Sequence, residues 1–171
     1  ASTFLRAKIG GVEGRKLQKG DLIQVEASSL THPRSLPEHH IRAFPLGQKI
    51  RLMKSVESTD GLSAWLQKTT FTVSNNWDRM GIRLTGLPPT SPAQHILSSP
   101  VAVGTLQLPP DGQPIVVMAD GQTTGGYPRI ATVIKADLPY LAQQSPGAPL
   151  YFTFVGMKKA IQVNGWTFIK I

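Results

Sequence analysis

Cysteine is absent from this 171-residue chain. That excludes disulfides, thiolate metal sites and a cysteine nucleophile, and it leaves the redox compartment unreadable. Long apolar runs are absent as well. None approaches the roughly 18 residues of a membrane span, so no membrane partner is expected. The opening Ala1-Ser2-Thr3-Phe4-Leu5-Arg6 lacks the basic stretch and apolar core of a secretory leader, and a cytoplasmic location is expected. An initiator Met is lacking too, so the chain is read as beginning inside a longer protein. No Gly-x-Ser-x-Gly elbow, Walker loop or His-Glu-x-x-His helix occurs. Acidic residues are scarce, 10 against 18 basic, for a net charge of +8. Such a balance favours an acidic partner or nucleic acid. The charges do not cluster, however. The densest groups are Arg15-Lys16 with Lys19 and the pair Lys158-Lys159, and only three Trp and three Tyr are available to stack bases. No nucleic-acid partner is expected. His32, His39, His40 and His95 show no ligand spacing, and adjacent His39 and His40 would face opposite sides of a strand; no metal site is expected.

Glycine and proline, by contrast, are plentiful: 16 and 14 residues spread along the chain. That spacing suits many short strands and turns. Strands are expected at Phe4–Ile9, Leu22–Val25, Lys49–Met53, Phe71–Val73, Met80–Leu84, Val103–Leu108, Ile115–Ala119, Ile130–Lys135 and Leu150–Val155. Two more, Ala160–Val163 and Trp166–Ile171, are expected around an Asn164-Gly165 hairpin turn. Thr59 or Asp60 can cap a short helix through Leu62, Trp65 and Leu66, and Asp137 can cap another through Leu138, Pro139 and Leu141. Residues 27–45 and 87–100 read as loops, and Ser74-Asn75-Asn76 as a turn. About ten short strands with two minor helices indicate a single, mainly β domain over residues 1–171, a mostly antiparallel barrel.

The richest stretch for chemistry is Pro109 to Ala131. Asp111 and Gln113 precede the apolar run Ile115–Ala119, and Asp120, Gln122, Thr123 and Thr124 follow it, set among Gly112, Gly121, Gly125 and Gly126. A loop, a buried strand and a second polar loop form a rigid scaffold presenting a binding surface. Asp120 and Gln122 offer an acceptor and a donor/acceptor to an amide, Thr123 and Thr124 offer hydroxyls, and the Gly125 and Gly126 N–H groups are candidate oxyanion donors. Asp111 has a second reading, as the residue that closes its Asp-Gly turn. Upstream, Arg79 and Arg83 would share one strand face, where two guanidiniums can bind a carboxylate or phosphate; the plainer reading is an exposed face partly neutralised by Asp78.

Three segments carry a resemblance: SerAsnAsnTrpAspArgMetGlyIleArgLeu at 74–84, LeuProProAspGlyGlnProIle at 108–115 and AlaAspGlyGlnThrThrGlyGlyTyrProArgIleAlaThrVal at 119–133. With LeuArg…GlyGlyValGluGlyArg at 5–15 and LysGlyAsp at 19–21, they resemble the family of biotin-dependent carboxyltransferases and C-type 5-oxoprolinase subunits, whose members are also labelled allophanate hydrolase subunit 2. The likeness runs from about residue 2 to the C-terminus. It implies a cyclophilin-like antiparallel β-barrel and a part in ATP-dependent opening of 5-oxoproline to glutamate, run with two other subunits, the A and B types. The substrate is then a small lactam or amide. Asp120, Gln122, Thr123 and Thr124 become the catalytic candidates, and Arg79, Arg83, Asp111, Gln113, Gly125, Gly126 and Tyr127 the substrate-binding ones. No cofactor is expected on this chain itself, since ATP would be used by the complex.

Two departures qualify the resemblance. Family chains are nearly twice as long, so this chain reads as a C-terminal part, inactive alone. The usual Glu of the ArgLeuGlu-Gly ending is Thr85 here, which removes a carboxylate. Two alternatives stay open. One is the carboxyltransferase module of a urea carboxylase, where biotin would enter as carboxybiotin. The other is a non-catalytic antagonist binding a kinase inhibitor. Met157-Lys158-Lys159 is not the Met-Lys-Met of a biotin carrier, and prolyl isomerase activity on such a barrel is a weaker reading, because fold does not imply function.

Overall fold

The computed structural model describes residues 3–5, 7–26, 35, 37, 38, 47, 49–89 and 96–163. The chain divides into two compact units, Ala1–Arg42 and Ala43–Ile171.

The first unit is built from turns. Phe4 and Ile9 pair as an isolated antiparallel bridge where the sequence suggests a strand; Leu5, Ala7 and Lys8 between them are in turn conformation. Leu22–Val25 has no regular structure and its side chains are exposed. Arg15 donates through both terminal nitrogens to Asp21, each at 2.8 Å, and through Nε to Glu13. Asp21 also accepts from the Gln18 backbone N–H, and the Arg15 hydrogen bonds with this amide hold its carboxyl down to about 2. The Gly-Arg and Lys-Gly-Asp segments are thus stapled to each other.

The second unit is a closed barrel. Its strands are β1 (Lys49–Lys54), β2 (Phe71–Trp77), β3 (Gly81–Thr85), β5 (Thr105–Gln107), β6 (Ile115–Val117), β8 (Arg129–Val133) and β9 (Pro149–Phe154), while β4 (Ser99–Pro100) and β7 (Thr124–Gly125) make a separate two-stranded sheet. Around the barrel the order is β1-β8-β5-β6-β3-β2-β9, and closure is made by β9 lying parallel to β1; the other pairings are antiparallel. The alternation read from sequence places Ile50, Leu52, Val73, Ile82, Leu84, Leu106, Val116, Ile130, Leu150 and Phe152 inside, as a barrel with one side chain in and one out requires.

Helix α1 (Asp60–Lys68) starts where expected, with Thr59 Oγ1 accepting from Leu62 N–H. Its apolar face delivers Leu66 to the core and sets Trp65 edge-on to Phe71, centroids 5.2 Å apart.

Four local expectations fail. Ser74-Asn75-Asn76 lies inside β2, at a register irregularity between Val73 and Trp77; their turn chemistry is absorbed as a bulge. Asp137 precedes α2 (Leu138–Ala142) but makes no capping bond. Its carboxylate accepts from the backbone N–H, Nε and Nη2 of Arg51 on strand β1, the neighbour of β8. Residues Ala160–Val163 belong to α3 (Met157–Val163), not to a strand; the expected Trp166–Ile171 strand and its Asn164-Gly165 turn lie outside the described residues. Thr124–Gly125, expected as loop, pairs with Ser99–Pro100.

Candidate active site

Strands β3 and β6 form the site's floor. They pair with Gly81 opposite Val117, Ile82 opposite Val116 and Arg83 opposite Ile115. Beyond one end of this ladder the two chains stay in touch. Met118 N–H donates to Met80 O at 3.0 Å, and Asp120 N–H to Arg79 O at 2.9 Å. Asp78 shapes the facing turn by accepting from Met80 N–H and Gly81 N–H. Gly121 closes the other side, with its N–H on Met118 O. A Cβ at Gly121 would stand 2.4 Å from Val117 Cγ1 and 2.8 Å from Met80 O, so only glycine lets the backbone pass this close.

That geometry sets Arg79 on Asp120. Nε reaches Oδ2 at 2.5 Å and Nη2 reaches Oδ1 at 2.9 Å, a fork-to-fork pair. The Arg79 bond holds the Asp120 carboxyl below the usual carboxylate range, and Asp120 in turn raises Arg79. Both groups therefore stay ionised near neutrality, which suits holding and polarising a ligand better than relaying a proton. Two of the five guanidinium donors are used on Asp120, and each carboxylate oxygen keeps a second lone pair.

Beside the pair opens a pocket of about 190 Å³, lined by Trp77, Asp78, Arg79, Ile82, Met118, Ala119 and Ala142. Its walls are apolar apart from Asp78 and Arg79 at the rim. Trp77, Met118 and Ala142 do not stand out as candidates in the sequence. The signal available is Trp77, a large aromatic directly before Asp78-Arg79, which the barrel leaves 43% exposed.

The segment after Asp120 continues into β7. Gln122, Thr123 and Thr124 are exposed, and Gly125, Gly126 and Tyr127 half-buried. Its anchors are the short β4–β7 ladder and two backbone bonds, Val101 N–H to Thr123 O and Ile96 N–H to Gly126 O. Arg129 secures the flank: its side chain and its backbone N–H donate to Glu57, and Nη1 donates to Pro100 O.

The remaining candidates gather elsewhere. Arg83 Nη1 donates to Asp111 Oδ2 at 2.6 Å. Asp111 Oδ1 also accepts from Gln113 N–H, closing the Asp-Gly turn. The Gln113 side chain accepts from Gly86 N–H and donates to Gly86 O, extending the β3–β6 ladder by one rung made from an amide side chain. This cluster sits toward the other end of β3, four residues on from Arg79. Arg79 and Arg83 thus do not form a two-guanidinium clamp; each already faces a carboxylate of its own chain. Thr85 meets Thr72 Oγ1 across the strands at 2.5 Å, so the position lacking the usual Glu is a cross-strand pair on the outer face. The four histidines lie outside the described residues, and among the described residues no group of His, Asp and Glu has the make-up of a metal site. No helix there is long and apolar enough to cross a membrane.

Known proteins share this sequence and fold. Residues 1–154 match the model of the carboxyltransferase domain, subdomain A and B. The chain is similar to the C-type 5-oxoprolinase subunit of Haemophilus influenzae, 41% identical over 95% of this chain and 53% of that protein. It is likewise similar to the one from Escherichia coli, 36% identical over 95% and 53%. The chain therefore spans about half the length of the curated relatives it matches. Among solved structures, TTHA0988 superposes with a TM-score of 0.70 at 35% identity, over 90% of this chain and 30% of that one. The Kluyveromyces lactis urea amidolyase gives 0.68 at 23% identity, over 96% and 11%, and so shares the fold.

Proposed function

The chain belongs to the family of carboxyltransferase domains, subdomains A and B, and from that membership we propose that it is one barrel of a C-type 5-oxoprolinase subunit, working with two partner subunits in the ATP-dependent opening of 5-oxoproline to glutamate. The observation that carries this reading is the Arg79–Asp120 pair, whose arginine lines the apolar pocket with Trp77, Ile82, Met118 and Ala142. A five-membered lactam has a methylene face, a carboxylate and a polar amide. The pocket walls take the methylenes. The guanidinium donors of Arg79 not spent on Asp120 take the carboxylate. Asp120, held ionised, accepts the lactam N–H through a spare lone pair. In this reading Gln122, the Thr123 and Thr124 hydroxyls and the N–H groups of Gly125 and Gly126 are the candidates to stabilise the carbonyl oxygen as it gains charge. Activation by ATP is assigned to the partner subunits, and no step on this chain runs through ATP or biotin.

The test is glutamate release from 5-oxoproline and ATP by the full-length protein produced together with its partners. Asp120→Ala is expected to lower the rate about a hundredfold, the cost of one preorganised charge contact in a transition state. No release from a well-folded complex sinks the reading and makes urea with carboxybiotin the next substrates to try. Full activity in both Asp120→Ala and Arg79→Ala moves the site elsewhere.

A further inference from the structure

Behind the glycine-rich segment lie two polar atoms that the fold buries without using. Gln107, the last residue of β5, is 2% exposed, and its Nε2 has no hydrogen-bond partner among the described residues. Ser99 Oγ on β4 is likewise buried and unpartnered. Both converge on Gly125. A Cβ built on Gly125 would stand 2.5 Å from Gln107 Nε2, so the amide lies against this glycine on the side where a side chain would point. Ser99 pairs with Gly125 across the β4–β7 ladder. Residues directly opposite in an antiparallel pair project to the same face, so Ser99 Oγ points toward the side that holds Gln107 Nε2.

A buried N–H donor left unmade is a standing cost, and a leucine of similar shape would remove it. A sequence that keeps glutamine there is keeping a donor for something the folded chain does not itself supply. The cover is light: Gln122, Thr123 and Thr124 are exposed, and the segment is held by a two-residue ladder and two further backbone bonds. Segments with so few buried contacts open at the low end of the stability scale.

We propose that Gln107 and Ser99 form a subsite beneath the 122–126 segment, a donor pair for one carbonyl or carboxylate oxygen of a ligand, reached when that segment lifts. Gln107 stands opposite Ile115, itself opposite Arg83, so the subsite is separate from the Arg79–Asp120 end, and the identity of its ligand is left to experiment. The amide nitrogen supplies one N–H and the hydroxyl one O–H. The Gln107 amide is oriented by barrel strand β5, the rigid support an oxygen-binding donor requires.

The experiment uses the full-length protein in its complex and three probes, 5-oxoproline, urea and bicarbonate, titrated calorimetrically against wild type, Gln107→Leu and Ser99→Ala. Thermal unfolding is recorded for each protein. The expected result is that wild type binds at least one probe and that Gln107→Leu binds it about tenfold or more weakly, the loss of one hydrogen bond to a ligand. Ser99→Ala should weaken the same probe, and the melting temperature of Gln107→Leu should equal or exceed that of wild type. A fall of several degrees in Gln107→Leu overturns the proposal, since it shows the amide working inside the fold. Unchanged affinity in both variants overturns it as well, as does a wild type that binds none of the probes. Binding of urea or bicarbonate but not 5-oxoproline, lost in Gln107→Leu, leaves the donor pair standing and removes the lactam reading.

Discussion

Arg51–Asp137 and Arg79–Asp120 are the same chemical pair in two settings. Each is an arginine fork on an aspartate carboxylate from a distant part of the chain. The Asp137 side chain is 4% exposed, against 48% for Asp120. Asp137 also accepts from a backbone N–H and ties β1 to the turn before α2; its valences are spent on the scaffold. Asp120 is half-exposed, paired with the arginine that lines the pocket, and has lone pairs to spare. Burial separates the two roles: the enclosed pair fixes strand geometry, and the open pair is available to a ligand. Glu57–Arg129 falls between them.

The contrast is tested first where it predicts the largest effect. Asp137→Ala leaves the Arg51 backbone N–H and its 26%-exposed side chain without their carboxylate partner, and leaving such part-buried donors unmade costs about 2 kcal/mol. A chemical denaturation midpoint within error of wild type would place this pair with the surface ones and dissolve the distinction. Next comes Glu57→Gln. Hydrogen bonding from Arg129 holds the Glu57 carboxyl below its ordinary value near 4.5. A group with a lowered folded pKa contributes fully above its unfolded value and loses that contribution as pH falls through the folded one. Wild type should therefore shed stability on acidification below about pH 4.5, and Glu57→Gln should be about 1 to 2 kcal/mol less stable at pH 7 with a shallower acid limb. Parallel pH–stability curves for the two proteins would remove Glu57 from the account.

Much of the barrel is legible in the sequence because its signals are local. Thr59 before Asp60 announces α1, and alternating Ile50 and Leu52 announce an inward face. What misleads depends on partners far along the chain. Asp137 stands before Leu138-Pro139 as a helix cap would, yet its partner Arg51 is 86 residues away. Asn164-Gly165 invites a hairpin that argues against a helix in the run Met157-Lys158-Lys159-Ala160, though propensity favours the helix that forms. The candidate residues come from one stretch of sequence, but a strand carries its two ends apart. Asp111 and Asp120 flank β6 and face different arginines, so one apparent site resolves into a pocket and a structural corner. Gln107 and Ser99 give no signal at all, because their meaning lies in burial without a partner.

The structural corner gives the third prediction. Gln113→Leu strips Gly86 of both amide contacts at the end of the β3–β6 ladder. It should cost about 1 to 2 kcal/mol in denaturation while leaving the Asp120 end, at the other end of β3, with its ligand affinity intact. If ligand binding collapses with Gln113→Leu although the protein stays folded, the two ends of β3 act as one site and their separation fails.

The smallest stability effect belongs to the open pair, and it is the sharpest test because activity should move the other way. Solvent screens an exposed ion pair so well that its removal is scarcely felt by the fold. Arg79→Ala and Asp120→Ala should therefore unfold at the wild-type temperature. An exchanged variant, Arg79→Asp with Asp120→Arg, rebuilds the attraction with the charges transposed. It too should fold normally, but it should not recover glutamate release, because the guanidinium no longer stands at the pocket rim beside Trp77 and Ile82. Recovery of activity in the exchanged protein would mean that the pair matters only for holding the 118–121 turn against the 78–80 turn. Arg79 and Asp120 would then join Arg51 and Asp137 as scaffold.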